Sequence, residues 1–191
     1  MQKSGLASLA FFYYDFRDDQ KKDVRGLLSS LLVQLGDQSD AYSAILSEFY
    51  GTHRRGFQHA SDGELRECLE EMLKLPGQAP VHIIIDAVDE CPITGGLPSP
   101  REDILKLVEE LVDLRIPNLR ICITSRPEAD IVLVLEPLAF CSVCLHAQDG
   151  QVQDIAKYVK SFVHEDSRMR RWKATEKQLV IEVLIKKADG M

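Results

Sequence analysis

The stretch VHIIIDAVDEC, residues 81–91, runs from apolar residues into three acids, Asp86, Asp89 and Glu90. A carboxylate at the end of a strand can hold Mg²⁺, with waters and substrate phosphates completing the octahedron. Acids at the spacing of Asp89 and Glu90 can orient or deprotonate an attacking water. The chemistry that suits this pattern is metal-assisted nucleotide hydrolysis. The plainer alternative has Asp86 capping a turn while Asp89 and Glu90 open a solvated loop.

A second stretch, ICITSRPEADI at 121–131, ends a strand in Thr124 and Ser125 and follows it with Arg126, fixed by Pro127. Guanidinium matches phosphate oxygens as a bidentate fork and can stabilise charge that develops during phosphoryl transfer. In isolation S-R-P reads as a surface arginine in a turn. Its place after a second strand, with a helix between, puts Arg126 near the same sheet edge as the acids.

Positioning these groups takes alternating strands and helices. LASLAFFYYDF (6–16) reads as an aromatic-rich strand, and DVRGLLSSLLVQLG (23–36) places Val24, Leu27, Leu28, Leu31, Leu32 and Leu35 on one helical face, with Gly36 as a stop. A helix over about 39–50 follows, then a loop, GTHRRGFQHAS. Ser61 with Glu64 forms a capping-box pattern that opens a helix through Leu75, closed by Pro76-Gly77. After the strand 81–86 come the turn-rich CPITGGLPSPR, a helix over 102–114 and a strand over 118–125. FCSVCLHA (140–147) is a fourth, weaker strand candidate. Helices are expected at about 150–164 and at 175–188, the latter capped by Thr175 and Gln178 and stopped by Gly190. The alternation predicts an α/β domain with a mainly parallel sheet. The continuous runs HIIID and RICIT predict strands buried on both faces.

The chain of 191 residues fits one domain, and its 45% hydrophobic and 28% charged residues are ordinary for a globular protein. A net charge of −7 argues against a general nucleic-acid binder. The one dense basic cluster, RMRRWK at 168–173, reads as a solvated helix end or loop. No apolar run is long enough to span a bilayer, and the first residues make a poor secretory signal. Five unevenly spaced cysteines suit a reduced, intracellular (cytoplasmic) chain.

HIIIDAVDEC and LRICITSRPEADI together resemble the Walker B and sensor-1 segments of NACHT-type STAND nucleotide phosphatases. LAFFYYDFRDDQKKDVRGLLSSLLVQL resembles the strand and helix that follow the phosphate loop in that family, most closely in its fungal, nephrocystin-3-like N-terminal branch. LIKKADGM (184–191) is similar to the point where the family's domain continues into another helix. The resemblance spans nearly the whole chain and implies a three-layer P-loop-NTPase-like fold with flanking helices. It assigns Asp86 to Mg²⁺ and to the bound ATP or GTP, Asp89 and Glu90 to the attacking water, and Arg126 to the terminal phosphate. Ala87 stands where many members have glycine. It also implies a signalling switch, with fungal non-self recognition as one setting.

One departure is large. A phosphate loop needs G-x-x-x-x-G-K-[ST], and none of the eleven glycines here is followed by lysine. Against the family pattern, 1–191 reads as a partial nucleotide-binding domain lacking its first, phosphate-loop strand. Hydrolysis by this chain alone is not expected. An unpaired edge is expected on the sensor-1 strand, where another chain or a second copy could pair. The alternative function is a non-catalytic interaction or scaffold module that keeps the α/β shell.

Other signals carry less. Cys141 and Cys144 form C-x-x-C inside an apolar run and read as buried strand cysteines. His53 and His59 flank an Arg-rich loop without an acid spaced for a metal. Trp172 reads as packing on an amphipathic helix.

Overall fold

The computed structural model describes residues 6–15, 17–18, 22–53, 59–94, 98–144 and 149–188, apart from the side chains of 149–152 and 188. The chain divides into two compact units, Met1–Ala139 and Phe140–Met191. The first is α/β: β1 (Ser8–Tyr13), α1 (Val24–Gly36), α2 (Asp40–Thr52), α3 (Asp62–Lys74), β2 (Val81–Asp86), α4 (Pro100–Asp113), β3 (Leu119–Ile123) and a short α5 (Ala129–Leu135). Its three strands form a parallel sheet in the order β1-β2-β3, flanked by helices in the manner of the P-loop class.

Leucine spacing builds the core. Leu27, Leu28, Leu31, Leu32 and Leu35 of α1 are all buried, and α1 packs on β1 and against α2, α3 and α4. Gly36 is the last residue of α1 and not a stop beyond it. A Cβ there would lie 2.9 Å from Leu46 Cδ2, so glycine permits the close approach of α2. The capping box of α3 is present as read: the Ser61 side chain accepts from Glu64 N–H, and Glu64 accepts from Ser61 N–H. A second box, Ser99 with Glu102, starts α4 two residues earlier than the sequence suggested, with Pro100 at its first position.

The strands are not buried on both faces. β2 buries Val81, Ile83 and Ile85 and exposes His82, Ile84 and Asp86. On the same face Phe11 and Tyr13 of β1 and Cys122 of β3 are exposed, and the register aligns Phe11, Ile84 and Cys122 in one row. An unbroken apolar run therefore marks an apolar open face here, which periodicity cannot tell from burial.

The two outer edges of the sheet differ. On β1, Gln38 accepts from Leu9 N–H at 2.8 Å and donates to Leu9 C=O at 2.7 Å. One turn earlier, Gln34 does the same for Phe11, at 3.0 and 2.7 Å. Gln34 of α1 and Gln38, in the turn just after that helix, thus occupy the place of a neighbouring strand. At the other side β3 is an edge among the described residues, as the sequence led one to expect of the strand 118–125.

The second unit pairs α6 (Asp149–Glu165) with α7 (Ala174–Ala188), with Val163 and Ile181 buried. Helix α7 begins at Ala174, so Thr175 lies inside it. The cap is formed by Glu176, which accepts from Lys173 N–H at 2.7 Å. Phe140–Cys144 forms no strand and is exposed, and the rest of that candidate, 145–147, lies outside the described residues, as does Gly190. Cys141 and Cys144 are therefore exposed and not buried strand residues. Trp172 sits in the turn before α7, 43% exposed, rather than on a packed helical face.

Candidate functional site

Asp86 closes β2, and Thr124 directly follows β3, so parallel pairing brings both to the carboxyl end of the sheet. Ligands of open parallel sheets bind at that end. The Thr124 hydroxyl donates to Asp86 Oδ1 and accepts from Ala87 N–H at 3.0 Å. The backbone continues the join: Thr124 N–H donates to Ile85 C=O at 3.0 Å, and Val88 N–H donates to Thr124 C=O at 3.1 Å. Thr124 is thus the joint between the two strand ends, and the sequence reading gave it no role beyond ending a strand.

After Asp86 the chain reverses at Ala87, which has φ 57° and ψ 48°. This left-handed conformation costs a residue with a Cβ about 1–2 kcal/mol. It explains why glycine suits the position. Val88 then inserts into the core as the first residue of a 3₁₀ turn, Val88–Glu90.

That turn aims Asp89 across to the β3 side. Asp89 Oδ1 accepts from Arg126 N–H at 3.0 Å, and Arg126 Nε lies 3.4 Å from Asp89 Oδ2. The Asp89 side chain is 9% exposed and that of Arg126 is 72% exposed. Two residues chosen from separate motifs therefore meet, and the guanidinium faces solvent. Asp86 is exposed and shares the strand end with them, and Glu90 is half-buried at the end of the turn. Asp15, after β1, grips Arg17 through Oδ1 at 3.0 Å. That bond raises the Arg17 pKa first, Asp15's charge adds to it, and the charge of Glu90 contributes as well.

Beneath the surface lies Arg101, 5% exposed, in the first turn of α4. Its Nη2 donates to Asp89 C=O at 2.6 Å, its Nε to Cys91 C=O at 3.0 Å, and its Nη1 to the carboxylates of Glu128 and Asp130. Burial opposes its charge, but those carboxylates outweigh it and its pKa is raised. The sequence reading missed this residue, although a signal exists. A cation in the first turn opposes the helix dipole, so an arginine there needs another partner. Cys91, also buried, donates from Sγ to Lys22 C=O, and burial pushes its thiol up to about 12, which makes it an inert packing group.

The donor set fits a magnesium ion only in part. One exposed carboxylate, Asp86, keeps an oxygen clear of Thr124, which suits an ion whose other ligands are phosphates and waters. Among the described residues no group of three or more His, Cys, Asp or Glu could hold a metal ion unaided. His53, at the cap after α2, does have an acidic partner, which the sequence did not suggest: its Nε2 lies 3.2 Å from Glu64 Oε1.

A family model described as Nephrocystin 3, N-terminal, matches residues 1–126. No curated protein and no solved structure matches the chain.

Proposed function

The chain belongs to the Nephrocystin 3, N-terminal family, and from that premise we propose that its first unit is part of a nucleotide-binding switch module of the NACHT or STAND kind. The observation that carries this reading is the meeting of Asp89 with Arg126 beside Asp86 at the carboxyl end of the sheet. Asp86 would hold Mg²⁺, which supplies charge neutralisation to the phosphates of ATP or GTP when bound. In a complete module Asp89 and Glu90 would orient the attacking water, and Arg126, solvent-facing, would contact the terminal phosphate. Thr124 fixes the rotamer of Asp86 by donating to it. In the reading, the open edge of β3 is where the strand of a phosphate loop belongs, and that loop is not in these residues.

The same open edge and the exposed row Phe11, Ile84 and Cys122 favour a second reading, a scaffold that binds a protein partner without nucleotide. An amide-resolved NMR titration of the chain with MgATP and MgGTP, beside Asp86→Ala, separates the two. The switch reading expects binding no tighter than about 1 mM, roughly −4 kcal/mol, because a phosphate cradle is lacking. It also expects shifts confined to Asp86, Ala87, Asp89 and Arg126, lost in the variant. A folded chain without such shifts leaves the scaffold. Micromolar binding that Asp86→Ala abolishes would instead reveal a different phosphate cradle.

A further inference from the structure

The contact between Asp89 and Arg126 joins segments 37 residues apart, and one partner is largely solvated. A pair of that kind is worth little by itself and does not hold two loops together. Their spacing is set by the Thr124 joint at the strand ends and by what lies beneath it. Thr124 makes its join at the surface, and beneath it the buried Arg101 guanidinium grips both segments.

We infer that Arg101 is a positioning residue, a buried clasp that fixes the loop carrying Asp89 against the segment carrying Arg126. The inference rests on the proposed roles of those two residues for its functional meaning, though not for its geometry. Guanidinium presents five N–H donors in a rigid planar fork. Here the fork divides them between two clients. Nη2 and Nε hold the carbonyls of Asp89 and Cys91, on the loop after β2. Nη1 holds Glu128 and Asp130, which bracket the start of α5, immediately after Arg126 and Pro127. Glu128 N–H in turn donates to Arg126 C=O at 2.9 Å, so the anchored carboxylate lies on the same turn as the arginine it places. The clasp is itself seated, since Arg101 N–H donates to Pro92 C=O at 3.2 Å. A lysine could reach one client and not both, because its single ammonium has no second arm.

The test is amide hydrogen exchange on the full chain, comparing wild type with Arg101→Met, Arg101→Lys and the double variant Glu128→Gln/Asp130→Asn. The Arg126 amide should exchange at least about tenfold faster in all three. The Ile83 and Ile85 amides, in the buried centre of β2, should keep their wild-type rates. If Arg101→Met does not fold, the double variant decides, because it leaves the guanidinium on the Asp89 and Cys91 carbonyls and cuts only the other arm. Unchanged exchange at Arg126 in any folded variant overturns the inference. Equal acceleration at Ile83 and Ile85 also overturns it, by reducing Arg101 to general core stability. The readout needs no nucleotide, so a failed nucleotide titration would remove the switch reading and leave the clasp standing.

Discussion

Ala87 concentrates the tension between backbone and chemistry at the level of single residues. Its left-handed φ lets the chain fold back so that Val88 plugs the core while Asp89 turns toward Arg126. Replacing Ala87 with glycine removes the steric cost of about 1–2 kcal/mol, offset in part by the greater freedom of glycine in the unfolded chain. The expected result is a gain of about 0.5–1 kcal/mol, read as a higher urea midpoint with an unchanged slope. A loss of stability would mean that the alanine methyl packs better than its backbone suffers. Residue types at this corner were legible in advance: Asp86, Asp89 and Arg126 were chosen by position relative to strands, and the fold brings them to one end. Arg101 was not, because its partners are two carbonyls and two carboxylates contributed by other turns of the chain. Nothing in its neighbours announces them.

Among the elements, α3 shows how much can rest on a cap. Two hydrogen bonds from Ser61, first the backbone N–H and then the hydroxyl, hold the Glu64 carboxyl down to about 2, with His53 adding to them. A carboxyl with a depressed folded pKa stabilises the fold above its ordinary value near 4.5 and ceases to do so as pH falls through about 2. Glu64→Gln should therefore flatten the fall in stability between those two values, measured by urea unfolding at a series of pH. An unchanged slope would show that other carboxyls dominate acid unfolding. Strands and helices with a strong period or a cap were readable in the sequence, β2 and α3 to within a residue. Helix α5 was not, since ADIVLVL is only seven residues, three of them β-branched, and packs against α4. Reading an apolar run as a strand misassigned Phe140–Cys144, which pairs with no strand among the described residues.

For the whole molecule, the division at Ala139 and Phe140 is the feature most open to test. Phe140 is fully exposed, without regular structure, at the head of the second unit. Limited digestion with chymotrypsin should cut first after Phe140, because exposed irregular backbone is where proteases engage. Mass spectrometry would then find fragments that correspond to the two units. A first cut inside the sheet-bearing unit would contradict the division. Among the described residues no helix is long and apolar enough to cross a membrane.

Gln34 and Gln38 give the sheet a polarity of growth. Where both margins are open, each recruit exposes a fresh margin for the next, and the product is a fibre. Here one margin is already occupied by the protein's own glutamines, at Leu9 and Phe11. Two copies that meet through β3 would present only sealed margins to the outside, and assembly would terminate at a pair. The glutamines thus leave β3, among the described residues, as the margin at which a further strand could pair.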